Sequence, residues 1–456
     1  MRSIKNSIRF FDINKLHKLS NLSGLDFHIF STLVFRGWNV IAGGVTIILL
    51  PLFLNPSDQG YYFTFASVLA LQIFFELGLN QILIQLVSHE VANLSEADDG
   101  FFEGSEFHLG RLSSLARLMR SWYSVAALLF ALIGGGVGII FFGLKNTAPI
   151  SHWVGIWVLL VIATAFNLRL SPGLALMEGC GKVGQVARLR LVQSFLGYVS
   201  FWAILFAGMG LWSIVAMPIA SAICTSYWLK THGNLMSWLS KHPANQKNQL
   251  RWKADIFPLQ WRIAVSWMSG YLIFNLFTPI VFMHQGAIEA GRLGMALTIF
   301  GAISTVGMSW VNAKAPNFTM LIARQERRTL NNLFISVFIR STIFIGVASI
   351  GIVSVVWYLD QIGVQEVKRI APANILAILA ITTTLNSIIF SMATYMRAHR
   401  EEPMLMQSVV VGLLASAAIY FGSNNSQFVM VSLYMLVCLF IALPWATWLF
   451  SKYWNN

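Results

Sequence analysis

The stretch Trp122–Leu144, WYSVAALLFALIGGGVGIIFFGL, runs for 23 residues without a charged side chain. A helix crosses the hydrocarbon core of a bilayer with roughly 20 mainly apolar residues. A membrane β-strand would instead be about ten residues long and alternate in character, so this segment reads as a transmembrane helix. Working outward from it, similar runs cover Phe30–Leu54, Gly60–Val87, Trp153–Met177, Leu191–Met209 and Leu211–Leu229. Six more follow: Ile263–Met283, Leu293–Val311, Leu333–Leu359, Ile370–Met396, Met404–Gly422 and Phe428–Phe450. Composition agrees, with 56% hydrophobic and 11% charged residues and a mean hydropathy of +0.66, against roughly 25% charge in soluble domains. The chain reads as an all-α integral membrane protein with about 12 transmembrane helices.

Lys and Arg of short loops stay on the cytoplasmic side of a membrane, which tests the span count independently. With the N-terminus inside, 24 of the 31 basic residues fall in inner segments. Only Lys145, Arg292, Lys368 and Arg369 fall outside, and Arg36, Arg169 and Arg340 lie within spans. A wrong count would scramble this alternation, so both termini are expected in the cytoplasm. The net charge of +13 is then spread over inner loops beside anionic membrane lipid, where each basic residue contributes on the order of 1 kcal/mol. Nucleic acid is not an expected partner.

The polar stretch from 231 to 260 divides six spans from six. The expected organisation is a cytoplasmic segment 1–29, a first lobe 30–230, a cytoplasmic inter-lobe loop 231–260 and a second lobe 261–456. Two lobes that both begin and end inside are parallel repeats, related by an axis along the membrane normal. Gly60 and Gly291, 231 positions apart, each open a span after a short outer turn, and the same offset carries Phe30 to Trp261. Within the N-terminal segment Ile4, Ile8 and Phe11 share a helical face, giving an interfacial helix or a simple basic tail, without the features of a signal peptide. Cys180, Cys224 and Cys438 have neither metal spacing nor a paired framework. Pro51, Pro172, Pro218, Pro279, Pro444 and the cluster Gly134, Gly135, Gly136 and Gly138 either kink helices or let neighbours approach.

The loops leave little room for catalysis, the largest outer one being Asp360–Arg369. The inner stretch Ser88–Ser121 carries Glu90, Glu96, Asp98, Asp99, Glu103 and Glu106, and reads as a solvated acidic loop without the alternating ligands of a calcium site. Gly179-Cys180-Gly181-Lys182-Val183-Gly184 matches a dinucleotide fingerprint in letters only, with no strand before it, and reads as a tight inner turn. His89, His108, His284 and His399 read as isolated interfacial residues. No catalytic residue, metal set or cofactor is expected.

A charge at membrane depth costs about 2.5–3.5 kcal/mol even on insertion scales, so it marks function. Arg36, Glu76, Arg169 and Arg340 qualify, and Arg262, Arg292 and Lys314 join them near the membrane edge. Gln72, Glu76 and Asn80 fall one turn apart on a single helical face, as in a span lining a water-filled cavity. Glu76 pairing with Arg36 purely to hold helices is the structural alternative, and Arg169 is near enough to the inner end to snorkel. A central cavity between the lobes holding Arg36, Glu76, Asn80, Arg169, Arg340, Arg292 and Lys314 suits an acidic, phosphate-bearing ligand, because guanidinium binds oxygen pairs bidentately.

The stretch Pro51–His89, with Gly60-Tyr61-Tyr62 opening span two and Phe75-Glu76-Leu77-Gly78-Leu79 in its middle, resembles the polysaccharide repeat-unit flippases. These are the O-antigen (Wzx-type) members of the multidrug/oligosaccharidyl-lipid/polysaccharide exporter superfamily. The turn Glu178-Gly179-Cys180-Gly181-Lys182 and the twelve-span length are similar to theirs. The resemblance implies movement of undecaprenyl-pyrophosphate-linked oligosaccharide across the bacterial inner membrane by alternating access, for O-antigen or other surface polysaccharide. It implies H+ or Na+ as coupling ion and a polysaccharide polymerase as partner. Arg36, Arg340 and Arg169 would contact phosphate or acidic sugar, and Glu76, where relatives often carry Asp, would orient Arg36 or join ion coupling. The alternatives are a cation-coupled multidrug exporter of the same superfamily and a polysaccharide polymerase.

Overall fold

The computed structural model describes residues 27–97, 101–145, 148–231, 235–241, 250–399 and 401–455. The expected N-terminal interfacial helix, Asp98, Asp99 and part of the inter-lobe loop lie outside them. Among the described residues ten helices are long and apolar enough to cross a membrane, and two bent helix pairs raise the number to twelve. The chain is an all-α multi-pass membrane protein. Its helices sort into two compact units, one of residues 1–46, 79–129 and 162–256 and the other of 47–78, 130–161 and 257–456. Their limits differ from the division at 231–260.

The first unit holds most of α1 (Phe27–Phe53), α4 (Leu79–Val91), α5 (Glu106–Leu129), the latter part of α7 (Ile150–Gly179), α8 (Val183–Phe206), α9 (Ala216–Thr231) and α10 (Leu235–Lys241). α1 packs on α8 through Trp38, whose ring centroid lies 5.2 Å from Phe195, and through Thr46, which accepts from Trp202 Nε1 at 3.0 Å. The stretch 88–121 is not a solvated loop. β1 (Leu94–Glu96) and β2 (Phe102–Gly104) form an antiparallel hairpin, and α5 already begins at Glu106. Phe102 is buried and Phe101 stacks on Trp238 at 4.7 Å, so apolar burial orders a segment that its carboxylates made look solvated. Gly179–Lys182 is the tight turn expected: Lys182 N donates to Met177 O at 3.0 Å, Gly181 has φ +81° and a Cβ on Gly179 would come within 2.6 Å of Val87.

The second unit holds α2 (Pro56–Leu69), α3 (Ile73–Glu76), α6 (Gly135–Lys145) and the start of α7. It continues with α11 (Phe257–Phe274), α12 (Phe277–Gln285), α13 (Ala287–Ala323), α14 (Arg327–Gln361) and α15 (Ala373–Arg397). α16 (Leu405–Ser423), α17 (Gln427–Val437) and α18 (Leu443–Asn455) complete it. α11 and α12 form one of the two bent pairs, with an angle of 40° between them. α14 buries Leu330, Phe334, Val337 and Ile345 against Val311 and Phe318 of α13 and Tyr395 of α15, the i, i+3, i+4 spacing of one helical face.

Two π-turns explain local packing that glycine and proline content alone left open. Phe130–Gly134 is a π-turn, which frees a backbone group from the regular ladder. Just beyond it Trp157 Nε1 donates to Gly135 O at 3.1 Å, and a Cβ on Gly138 would overlap the Trp157 ring. The glycine cluster therefore admits an indole rather than merely bending a helix. In the second π-turn, Cys438–Ala442, the Ala442 carbonyl accepts from Gln407 Nε2 at 2.6 Å.

Candidate functional site

Span two is broken where the candidate acid sits. Leu77 has φ 53° and Gly78 φ 68°, so two consecutive left-handed residues end α3 at Glu76 and start α4 at Leu79. A left-handed non-glycine residue costs on the order of 1–3 kcal/mol, and such strain clusters at functional sites. A Cβ on Gly78 would overlap the Ile263 side chain of α11, which requires glycine there for space as well as for backbone. Gln72, Glu76 and Asn80 consequently do not share one continuous helical face, a correction to the sequence reading. Glu76 stands half-buried at a helix C-terminus, the end of the dipole that disfavours a carboxylate. Asn80 accepts from the Tyr123 hydroxyl at 2.9 Å, which ties α4 to α5.

In the first unit, Arg36 lies about 200° around α1 from Trp38 at 100° per residue, opposite the face packed on α8. It is exposed. Arg169 is also exposed and prolongs the stripe of Ile162 and Phe166, both open to the surroundings. In the second unit Arg340 is exposed midway along α14, at the border between buried Val337 and Ser341 and outward-facing Ile339 and Ile343. Lys314 lies exposed on α13. Among the described residues none of these four makes an ion pair or a side-chain hydrogen bond. Arg292 differs: its guanidinium donates to Glu289 at 2.7 Å and to the Lys368 carbonyl at 2.8 Å.

Three arrangements escaped the sequence reading. At the N-terminus of α2, Asn55 caps the helix by accepting from Asp58 N at 2.7 Å, and its own amide donates to Asp58 Oδ2 at 2.8 Å. His152 Nε2 completes the group, 2.6 Å from Asp58 Oδ1. The Asn-x-x-Asp cap pattern was visible, whereas the histidine comes from 94 residues away.

Beside this cap, α2 crosses the start of α13 at backbone distance. A Cβ on Gly60 would overlap the Ala287 carbonyl, one on Gly291 would come within 2.8 Å of Gly60 N, and one on Gly294 within 2.5 Å of Phe63. Gln59 Nε2 clamps the crossing by donating to Gly291 O at 3.1 Å and Arg369 O at 2.8 Å. Small residues permit this approach where lipid supplies no hydrophobic drive.

The third arrangement lies in the first unit, where Glu90 is 2% exposed and accepts from Arg111 Nε at 2.8 Å. It also lies 2.8 Å from His108 Nδ1, and Arg111 reaches Asp255 at 3.7 Å. A carboxylate removed from water requires such partners. His108 is therefore not isolated, nor is His284, whose Nδ1 lies 2.6 Å from Ser423 Oγ. Among the described residues no group of three His, Cys, Asp or Glu could hold a metal ion.

No protein-family model matches the chain, and no curated protein matches it significantly. Solved structures do. The lipid II flippase MurJ in an inward closed conformation is 12% identical, over 92% of this chain and 87% of that one, with TM-score 0.61. An inward-facing multidrug resistance MATE family transporter of the MOP superfamily is 12% identical over 92% and 95%, with TM-score 0.60. The MATE multidrug transporter DinF-BH is 14% identical over 92% and 93%, with TM-score 0.57. All three are transporters or flippases. The chain shares the fold of these solved structures.

Proposed function

We propose that this protein is a flippase that carries an undecaprenyl-pyrophosphate-linked oligosaccharide across the bacterial inner membrane by alternating access, for O-antigen or other surface polysaccharide. The observation that carries this reading is the set of exposed cations on span-length helices, Arg36, Arg169, Arg340 and Lys314, none paired among the described residues. Unpaired guanidinium groups at membrane depth are costly, and a phosphate-bearing ligand compensates them with bidentate hydrogen bonds. A cationic drug would meet repulsion at the same groups, which disfavours the multidrug reading. In this proposal the lobes 30–230 and 261–456 rock about a central cavity, with both termini cytoplasmic. Glu76, Asn80 and Arg292 complete the polar lining, H+ or Na+ drives the cycle, and a polysaccharide polymerase takes the product. The Gly60–Gly291 crossing seals the outer side while the substrate loads from within.

Deletion of the gene tests the proposal: surface polysaccharide should disappear and lipid-linked repeat units should accumulate on the inner leaflet. Normal surface polysaccharide would reject it. Altered drug susceptibility on overexpression, with polysaccharide unchanged, would establish the multidrug exporter in its place.

A further inference from the structure

Within the second unit, α13 is long enough to cross a bilayer, and one of its faces is polar over most of that length. Thr298, Gly301, Thr305, Ser309, Asn312 and Pro316 are all exposed and follow one another at intervals of three or four residues, a single helical ridge. At 1.5 Å per residue the ridge runs for about 27 Å, close to the roughly 30 Å of a hydrocarbon core. No Leu, Ile, Val or Phe interrupts it. The exposed face of the neighbouring α14 is the opposite: Ile335, Ile339, Ile343, Val347 and Ile350 are 41% to 65% exposed, a surface suited to acyl chains.

The polar atoms of the ridge are mostly acceptors. Thr298 Oγ1 donates to Gly294 O at 2.8 Å, Thr305 Oγ1 to Gly301 O at 2.8 Å and Ser309 Oγ to Val306 O at 2.6 Å. A hydroxyl has one hydrogen and two lone pairs, so each oxygen keeps its capacity to accept. Pro316 has no N–H to give to the Asn312 carbonyl one turn earlier, which leaves a further acceptor. The exposed Asn312 side chain makes no hydrogen bond among the described residues. Hydroxyls bonded back to their own helix are tolerated beside lipid, but an amide without partners is costly in hydrocarbon. Asn312 therefore marks this face as one that meets polar groups. Beside it Trp310 is 38% exposed and packs on Phe344 of α14 at 5.2 Å, one turn from Arg340.

We propose that this face of α13 binds uncharged hydroxyl groups of the transported saccharide. The assignment rests on the flippase reading and adds to it where the sugars lie. None of the six ridge residues is charged, which suits neutral sugar rather than phosphate. Sugar hydroxyls donate to Thr305, Ser309 and the Asn312 carbonyl and accept from the Asn312 amide. The apolar C–H side of a pyranose ring covers the open part of the Trp310 indole, and Arg340 remains for the phosphate.

Thiol labelling in nanodiscs tests the proposal. Ser309→Cys and, for comparison, Ile343→Cys on α14 are treated with a membrane-impermeant methanethiosulfonate, and the wild-type protein with its three cysteines gives the background. Ser309→Cys should react about tenfold faster or more, because the reactive thiolate forms in water and not in hydrocarbon. The lipid-linked saccharide that accumulates on deletion of the gene should slow this reaction severalfold. Undecaprenyl phosphate, which carries no sugar, should not, and adding Asn312→Ala should remove the protection. Equal reaction at the two positions, protection by undecaprenyl phosphate, or full protection without the Asn312 amide overturns the proposal. Absence of protection while the saccharide accumulates rejects the proposal alone; absence of accumulation rejects the flippase reading and the proposal together.

Discussion

His152 Nε2 lies 2.6 Å from Asp58 Oδ1, and Asp58 is only 6% exposed. The same carboxylate accepts the Asn55 amide at 2.8 Å, so one group closes the α2 cap and fastens the start of α7 to it. Asp58→Ala removes both bonds. Hydrogen bonds to charged groups contribute about 1.5–3 kcal/mol, and His152 is partly exposed, which screens its share. Loss of about 1–2 kcal/mol of stability is expected, read as a lower melting temperature in detergent, with Asp58→Asn losing less.

Replacing Gly60 by Ala places a methyl group on the Ala287 carbonyl. Inserting a methyl into packed structure costs about 1–3 kcal/mol, and a backbone neighbour cannot swing aside. Gly60→Ala should therefore destabilise the protein in thermal unfolding, whereas Gly301→Ala on the same α13, where a Cβ meets nothing within 4 Å, should leave the melting temperature unchanged.

Arg36→Ala and Arg340→Ala should each abolish export while the protein still accumulates in the membrane fraction. Neither side chain makes a hydrogen bond or ion pair among the described residues, so loss of stability is not the expected cause. Surface polysaccharide staining beside an immunoblot of membranes reads both quantities. Normal export by both variants would exclude these arginines from substrate binding.

Burial in the turn after α7 pushes the Cys180 thiol up from 9.0 to about 12, with Lys182 opposing. Alkylation requires the thiolate, so iodoacetamide at pH 9 should leave Cys180 unlabelled in the native protein and label it in the denatured chain, as mass spectrometry can show. The unfolded chain ionises first as pH rises. The Cys180 contribution to stability is thus intact below 9 and is lost progressively between 9 and about 12.

The spans were legible because an apolar run is local, and its length and flanking charges suffice to place it. Trp122–Leu144 was readable as membrane-spanning, but its helix reaches back to Glu106, since charged residues carry a helix past the hydrocarbon. Glu76 was identifiable as an acid within an apolar run; the break after it was not, because Leu77 is a residue that rarely adopts φ 53°. The partners of Glu90 and Asp58 were hidden for another reason. Each is held by side chains brought near only by tertiary packing, whereas sequence spacing reports neighbours on one element. Phe101 and Phe102 were the visible sign that the acidic stretch is not fully solvated.

Gly60 and Gly291 lie 231 positions apart in the sequence, and they meet in the structure. The contact is not reciprocal: Gly291 faces the main chain of Gly60 and Gln59, while Gly60 faces the carbonyl of Ala287. The two positions are therefore not independent in mutational space. A methyl group on Gly291 would press on Gly60 N, and one on Gly60 would press on the Ala287 carbonyl one turn before Gly291, so a double-mutant cycle across the pair should show coupling rather than additivity. The crossing is thus closed to any larger residue at either position, because each glycine faces main chain rather than a side chain that could be trimmed in compensation.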